Sequence, residues 1–149
     1  MKRPLIRLTA LWLALLLALP GLALAQADGV LAQKINAGYE LLEQGKFDQA
    51  QKIYEEILKK EPNHPIALNN LAAISCKQGK FEPALAQLKR ALPQAKGYKI
   101  TLNRVCNVDG VCAAFRQSTD RFGEDNLEDL IKSNILMVQM AASQRRPGK

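Results

Sequence analysis

Gln44-Gly45-Lys46-Phe47-Asp48-Gln49-Ala50 and Gln78-Gly79-Lys80-Phe81-Glu82-Pro83-Ala84 are two versions of one phrase, with Gln, Gly, Lys, Phe and Ala recurring at an offset of 34 residues. An offset of that size is the length of one helix-turn-helix unit. Such a unit cannot bury its apolar face alone, so it stacks on a neighbour and leaves a concave surface, which makes binding of another polypeptide the first functional expectation.

The sequence on either side of each phrase agrees. Val30, Leu31, Ile35, Gly38, Leu41 and Leu42 recur at mainly three- and four-residue spacing before Gln44-Gly45, which reads as an amphipathic helix stopped by glycine. A second helix opens near Lys46 or Asp48 and carries Phe47, Ala50, Ile53, Tyr54, Ile57 and Leu58 on one face until Glu61-Pro62. Proline cannot continue a helix with its hydrogen bonds intact, and it disfavours helical geometry at the residue before it. The next pair follows suit, with Ile66, Leu68, Leu71, Ala72 and Ile74 before Gly79, then Phe81, Ala84, Leu85, Leu88, Ala91 and Leu92, with a stop expected at Pro93. Pro83 falls in a first turn, where a missing N–H costs little.

These residues resemble the tetratricopeptide repeat family. With Leu31 as the first position, Gly38, Gly45, Phe47, Ala50, Tyr54 and Pro62 occupy the family's small, turn, aromatic, small, aromatic and proline slots, and Leu68, Leu71, Ala72, Gly79, Phe81 and Ala84 continue the pattern. Lys34, Ser75 and Lys96 depart from it, at the ends of the array and at one aromatic slot. The resemblance covers about residues 30 to 96. It implies an all-α fold in which two tandem helix-turn-helix units form a short solenoid. It also implies that inner helices line a groove, at Ile35, Asn36, Tyr39, Leu42 and Glu43 in one unit and Ile66, Asn69, Asn70, Ala73, Cys76 and Lys77 in the next. Asn69 and Asn70 would pair with the main chain of an extended peptide, unless Asn70 instead bridges its own repeats, and Tyr39 would offer an apolar face with a polar tip. Family members that grip a C-terminal carboxylate use a lysine and an asparagine where this chain has Ile35 and Tyr39, so an internal or amphipathic segment is the expected ligand.

After Pro93 the period changes. Tyr98, Ile100 and Leu102 alternate with Lys99, Thr101 and Asn103, Asn107-Val108-Asp109-Gly110 supplies turn chemistry, and Val111, Cys112 and Phe115 make a return strand. The alternative is a third, degenerate helix pair over the same residues. A three-residue loop over Val108-Asp109-Gly110 would set Cys106 directly opposite Cys112, which in an oxidising setting favours a disulfide. Cys76 is then left over, expected as a buried free thiol. Asp125 or Asn126 looks like a cap for a last helix through Leu127, Leu130, Ile131, Ile135, Val138 and Met140, which would cover the open end of an array too short to stand alone.

The chain opens with Lys2, Arg3 and Arg7, an apolar run from Leu8 to Leu19, a break at Pro20-Gly21 and a small-residue site at Ala23-Leu24-Ala25, the layout of a secretory signal with Gln26 as the new terminus. The run is short against the roughly 20 apolar residues of a membrane span. The expected organisation is signal 1–25, two repeats 26–96, cysteine-containing hairpin or loop 97–123, capping helix 124–143 and basic tail 144–149. Removing the signal takes away three of the 21 Lys+Arg and none of the 14 Asp+Glu, so a formal charge of +7 falls to +4. No basic stripe interleaved with aromatics is present, so a nucleic-acid partner is not expected.

His64 is the only histidine and lies in the turn between repeats, where a surface position is expected. One histidine, no metal-ligand cluster and no phosphate-cradling glycine loop leave no catalytic constellation, so no catalysis, cofactor or small-molecule substrate is expected. The leading expectation is an exported, periplasmic adaptor that binds a peptide segment of an envelope-assembly or secretion component, with self-association open. The alternatives are a thiol-linked accessory protein in redox or cytochrome maturation, acting through Cys76 or the Cys106/Cys112 pair, and a protein tethered to the membrane by an uncleaved signal.

Overall fold

A computed structural model describes the backbone of residues 19–108, 112–118 and 125–145 and the side chains of 29–98, 114 and 126–145. The chain divides into two compact units, 1–33 and 34–149. Of the first, the described part is the beginning of α1 (Leu19–Glu43), a helix that runs without a break through the expected cleavage point after Ala25. The basic residues and most of the apolar run of the expected signal lie outside the described residues.

The second unit holds the rest of α1, followed by α2 (Phe47–Lys60), α3 (Pro65–Lys77) and α4 (Phe81–Ala95). Both inner helices end in the same way. Gly45 and Gly79 each sit at a φ of 72°, and around them Gly45 N–H donates to Leu42 O and Lys46 N–H to Leu41 O, while Gly79 N–H donates to Cys76 O and Lys80 N–H to Ser75 O. This is the Schellman termination, which needs a left-handed residue that glycine adopts without a Cβ clash. The repeated Gln-Gly-Lys-Phe phrase is therefore the sequence of a helix stop followed at once by a helix start.

Two local expectations are corrected. Pro93 lies inside α4, which continues to Ala95. Its missing N–H removes one bond on a solvent-facing side, and the burial of Ala91 and Ala95 on the opposite side holds the last turn in place. His64 is only 6 % exposed, not a surface residue. It caps α3, its Nδ1 accepting from Ala67 N–H at 3.3 Å, and its ring meets Tyr98 edge-on with centroids 6.5 Å apart. Burial pushes the imidazole pKa down, with Glu61 pulling the other way, which favours the neutral ring that an accepting Nδ1 requires.

After a left-handed Gly97 the chain forms β1 (Lys99–Val108), β2 (Cys112–Ser118) and β3 (Asp125–Asn126), in the order β2-β1-β3, and then α5 (Leu127–Arg145). The helical array thus carries a small antiparallel sheet, added as a hairpin with a short third strand. The register differs from the expected one. Val108 pairs with Cys112 and Cys106 with Ala114, with an irregularity between Arg104 and Cys106, so the two cysteines are diagonal along the ladder instead of directly opposite. Next to the turn the pairing is slid by two residues from the expected one, and beyond the irregularity by one. The side chains of Cys106 and Cys112, and with them the expected disulfide, lie outside the described residues. Asn126 caps α5, its Oδ1 accepting from Glu128 N–H at 3.1 Å, and Glu128 and Asp129 in the first turn suit the positive end of the helix dipole.

Candidate functional site: the inner face of the repeats

Small residues set the distance between the helices of each repeat. Gly38 faces the Tyr54 ring so closely that a Cβ there would stand 2.7 Å from Tyr54 Cζ. One repeat further on, the equivalent positions hold Ala72 and Leu88, both buried: a larger residue on the inner helix and a smaller one on the outer. The two repeats thus place different volumes at equivalent buried positions.

Tyr54 also begins a buried polar relay. Its hydroxyl donates to Ile35 O at 3.4 Å and accepts from Asn70 Nδ2 at 3.0 Å. Asn70 Oδ1 accepts from Asn69 Nδ2 at 3.2 Å, and Asn69 Oδ1 accepts from Asn134 Nδ2 at 2.7 Å. The relay joins α1, α2, α3 and α5 through four side chains and one carbonyl, and no buried side-chain polar atom among the described residues lacks a partner. Satisfied, such a relay fixes one arrangement of its helices; broken, it strands a donor where water does not reach.

The relay changes the meaning of the expected groove. α3 is buried along its whole length from Pro65 to Cys76, so Ile66, Asn69, Asn70 and Ala73 are enclosed and not presented on an open surface. Asn70 bridges its own repeats, the alternative role the sequence left for it. In α1, Ile35, Tyr39 and Leu42 are buried as well, and Tyr39 Oη donates to Glu43 at 3.2 Å. Asn36 is half-buried, and Glu43 and Lys77 are exposed. Glu43 and Lys77 occupy equivalent positions one repeat apart, so the mouth of the inner face carries one negative and one positive group. Cys76 is 3 % exposed, a poor position for a thiol that must meet another protein.

Two participants were missed from sequence. Asn134 falls in register with Leu127, Ile131 and Val138, the buried stripe of α5, and an amide in such a stripe is a legible sign of a buried hydrogen bond. Ala114, fully buried on β2, had no such sign. Among the described residues there is no group of three or more His, Cys, Asp or Glu side chains suited to a metal ion. Among them, too, no helix is long and apolar enough to cross a membrane.

Among the described residues the arrangement is one of packing and amide pairing. Residues 41–99 match the family model of the tetratricopeptide repeat, a span covering about two fifths of the chain. No curated protein and no solved structure matches the chain.

Proposed function

We propose, from the premise that residues 41–99 make this chain a tetratricopeptide-repeat protein, that it is an exported, periplasmic adaptor holding a polypeptide segment of an envelope-assembly or secretion component. Tetratricopeptide repeats serve as protein-interaction scaffolds, and the observation that carries the reading is the tandem pair itself, two units whose inner helices end in identical glycine stops, stacked into an array with an inner face. The signal-like start of the sequence supports export. The mechanism is binding and positioning without turnover. The partner meets the array first at its accessible mouth, where Asn36, Glu43 and Lys77 lie.

Crosslinking capture from the exported compartment, followed by mass spectrometry, tests this with the intact chain against a Glu43→Lys/Lys77→Glu variant. Both positions are exposed, so the reversal leaves the core intact. The expected result is a defined partner set recovered several-fold less well by the variant, since like charges at an interface are strongly unfavourable. An identical partner set from both proteins would remove the mouth from the binding surface.

A further inference from the structure

We propose that the turn between the two repeats is an acid-sensitive joint: a single proton on the His64 ring undoes the start of α3 and loosens its hold on the segment leading into the hairpin.

The joint is built on an acceptor that acid converts into a donor. His64 Nδ1 accepts from Ala67 N–H at 3.3 Å, and His64 is 6 % and Ala67 0 % exposed. The residues most often found at such a cap are serine, threonine, asparagine and aspartate, whose oxygens go on accepting at mildly acidic pH. An imidazole does not. Protonation places a hydrogen on Nδ1, so that a donor faces a donor. Ala67 N–H is then stranded in a helix buried from Pro65 to Cys76, where water does not replace the lost bond. The new charge also stands at the positive end of the α3 dipole.

The same ring joins two segments. Its edge-on contact with Tyr98 ties the turn after α2 to the residue before β1. A charged imidazole is costly in so buried a place and turns towards water, away from Tyr98. The charges around it come from each neighbouring element. Glu61, in the same turn, favours the charged ring. Against it stand Arg90 of α4, whose guanidinium donates to Pro62 O at 2.8 Å and to Asn63 Oδ1 at 3.4 Å, and Lys59 and Lys60 in the last turn of α2. α3 brings no titratable side chain before Cys76, and the side of the hairpin brings Tyr98. Burial outweighs Glu61 and holds the imidazole pKa below its ordinary 6.5. Between 6.5 and that lower value the unfolded chain takes up a proton that the folded chain resists, so the stability is complete above 6.5 and is lost as the pH falls through this window. No other side-chain type ordinarily changes its charge there.

His64 is the chain's only histidine, so its imidazole resonance stands alone in a proton NMR titration of the full chain. The expected midpoint lies below 6.5, and as the ring titrates the Ala67 amide loses more hydrogen-exchange protection than amides in the middle of α2 and α4. His64→Asn keeps a cap acceptor and removes the titration. Between pH 7.5 and pH 5.5 the unfolding equilibrium constant from urea titrations should rise several-fold more in the parent than in His64→Asn, up to about tenfold, the limit for one proton taken up one pH unit below 6.5. A midpoint at or above 6.5 would overturn the joint, as would the same pH dependence in parent and variant. Protection lost evenly along all the helices would also overturn it, because the proton would then act on the whole fold and not on the turn. If His64→Asn does not fold, the midpoint and the Ala67 exchange of the parent still decide. No partner enters this experiment, so its failure is separable from failure of the capture experiment.

Discussion

Replacing Asn70 with leucine, which keeps the branched outline with somewhat more bulk and removes the amide, should destabilise the protein by about 2–3 kcal/mol. Asn70 is the middle of the buried relay, giving Nδ2 to Tyr54 and taking Nδ2 of Asn69 through its Oδ1. Leucine would break both bonds at once, and each group that loses its partner inside the core carries a desolvation penalty of about 1–3 kcal/mol, with some relief if a neighbour shifts. For a chain of this size that loss lowers the melting temperature by roughly 4–12 °C, which thermal unfolding followed by circular dichroism reads directly. A residue that served only to touch a peptide in an open groove would show no such loss, so a shift of a degree or less would return Asn70 to the binding surface.

The second large effect is at Gly38. A Cβ there would lie 2.7 Å from Cζ and 2.9 Å from Cε1 of Tyr54, a ring that is fully buried and hydrogen-bonded to Ile35 O and Asn70. The ring has no free direction, so Gly38→Ala should cost about 1–3 kcal/mol by overpacking, despite the better helix propensity of alanine. The second repeat carries Ala72 and Leu88 at the equivalent positions, both buried. Adding Tyr54→Leu to Gly38→Ala should therefore recover the steric part of the loss and keep the polar part, because leucine offers nothing to Asn70. Chemical unfolding of the two single variants and the double checks this: a favourable coupling is expected, and strict additivity would mean that the close approach is not what fixes the helix distance.

The repeats were legible because their information is local. A glycine at a helix end, a small residue at a crossing and an aromatic three or four residues on are written within 34 positions and then written again, and each does in space what its spacing implies. Asn126 as a cap and the alternating run into β1 belong to the same class. The rest depended on distant segments. His64 reads as a turn residue until Tyr98 and the start of α3 close around it. Asn69 and Asn70 read as groove amides until Asn134, 65 residues away from Asn69, bonds to Asn69 and extends the buried relay. The hairpin register next to the turn differs from the expected one by two residues, a difference that hydrophobic alternation cannot decide, because a shift of two preserves the alternation. Pro93 was overruled by burial on the far side of its own helix, which no proline rule contains.

The buried amide relay ties the C-terminal helix to the repeats through Asn69 and Asn70 of α3. A double-mutant cycle on Asn69 and Asn134, using alanine at each position and urea unfolding of the full chain, measures that contact most directly. The account predicts a coupling energy of about 1 kcal/mol or more, as for residues in one hydrogen-bonded network. Additivity within about 0.3–0.5 kcal/mol, the behaviour of sites that do not touch, would contradict it.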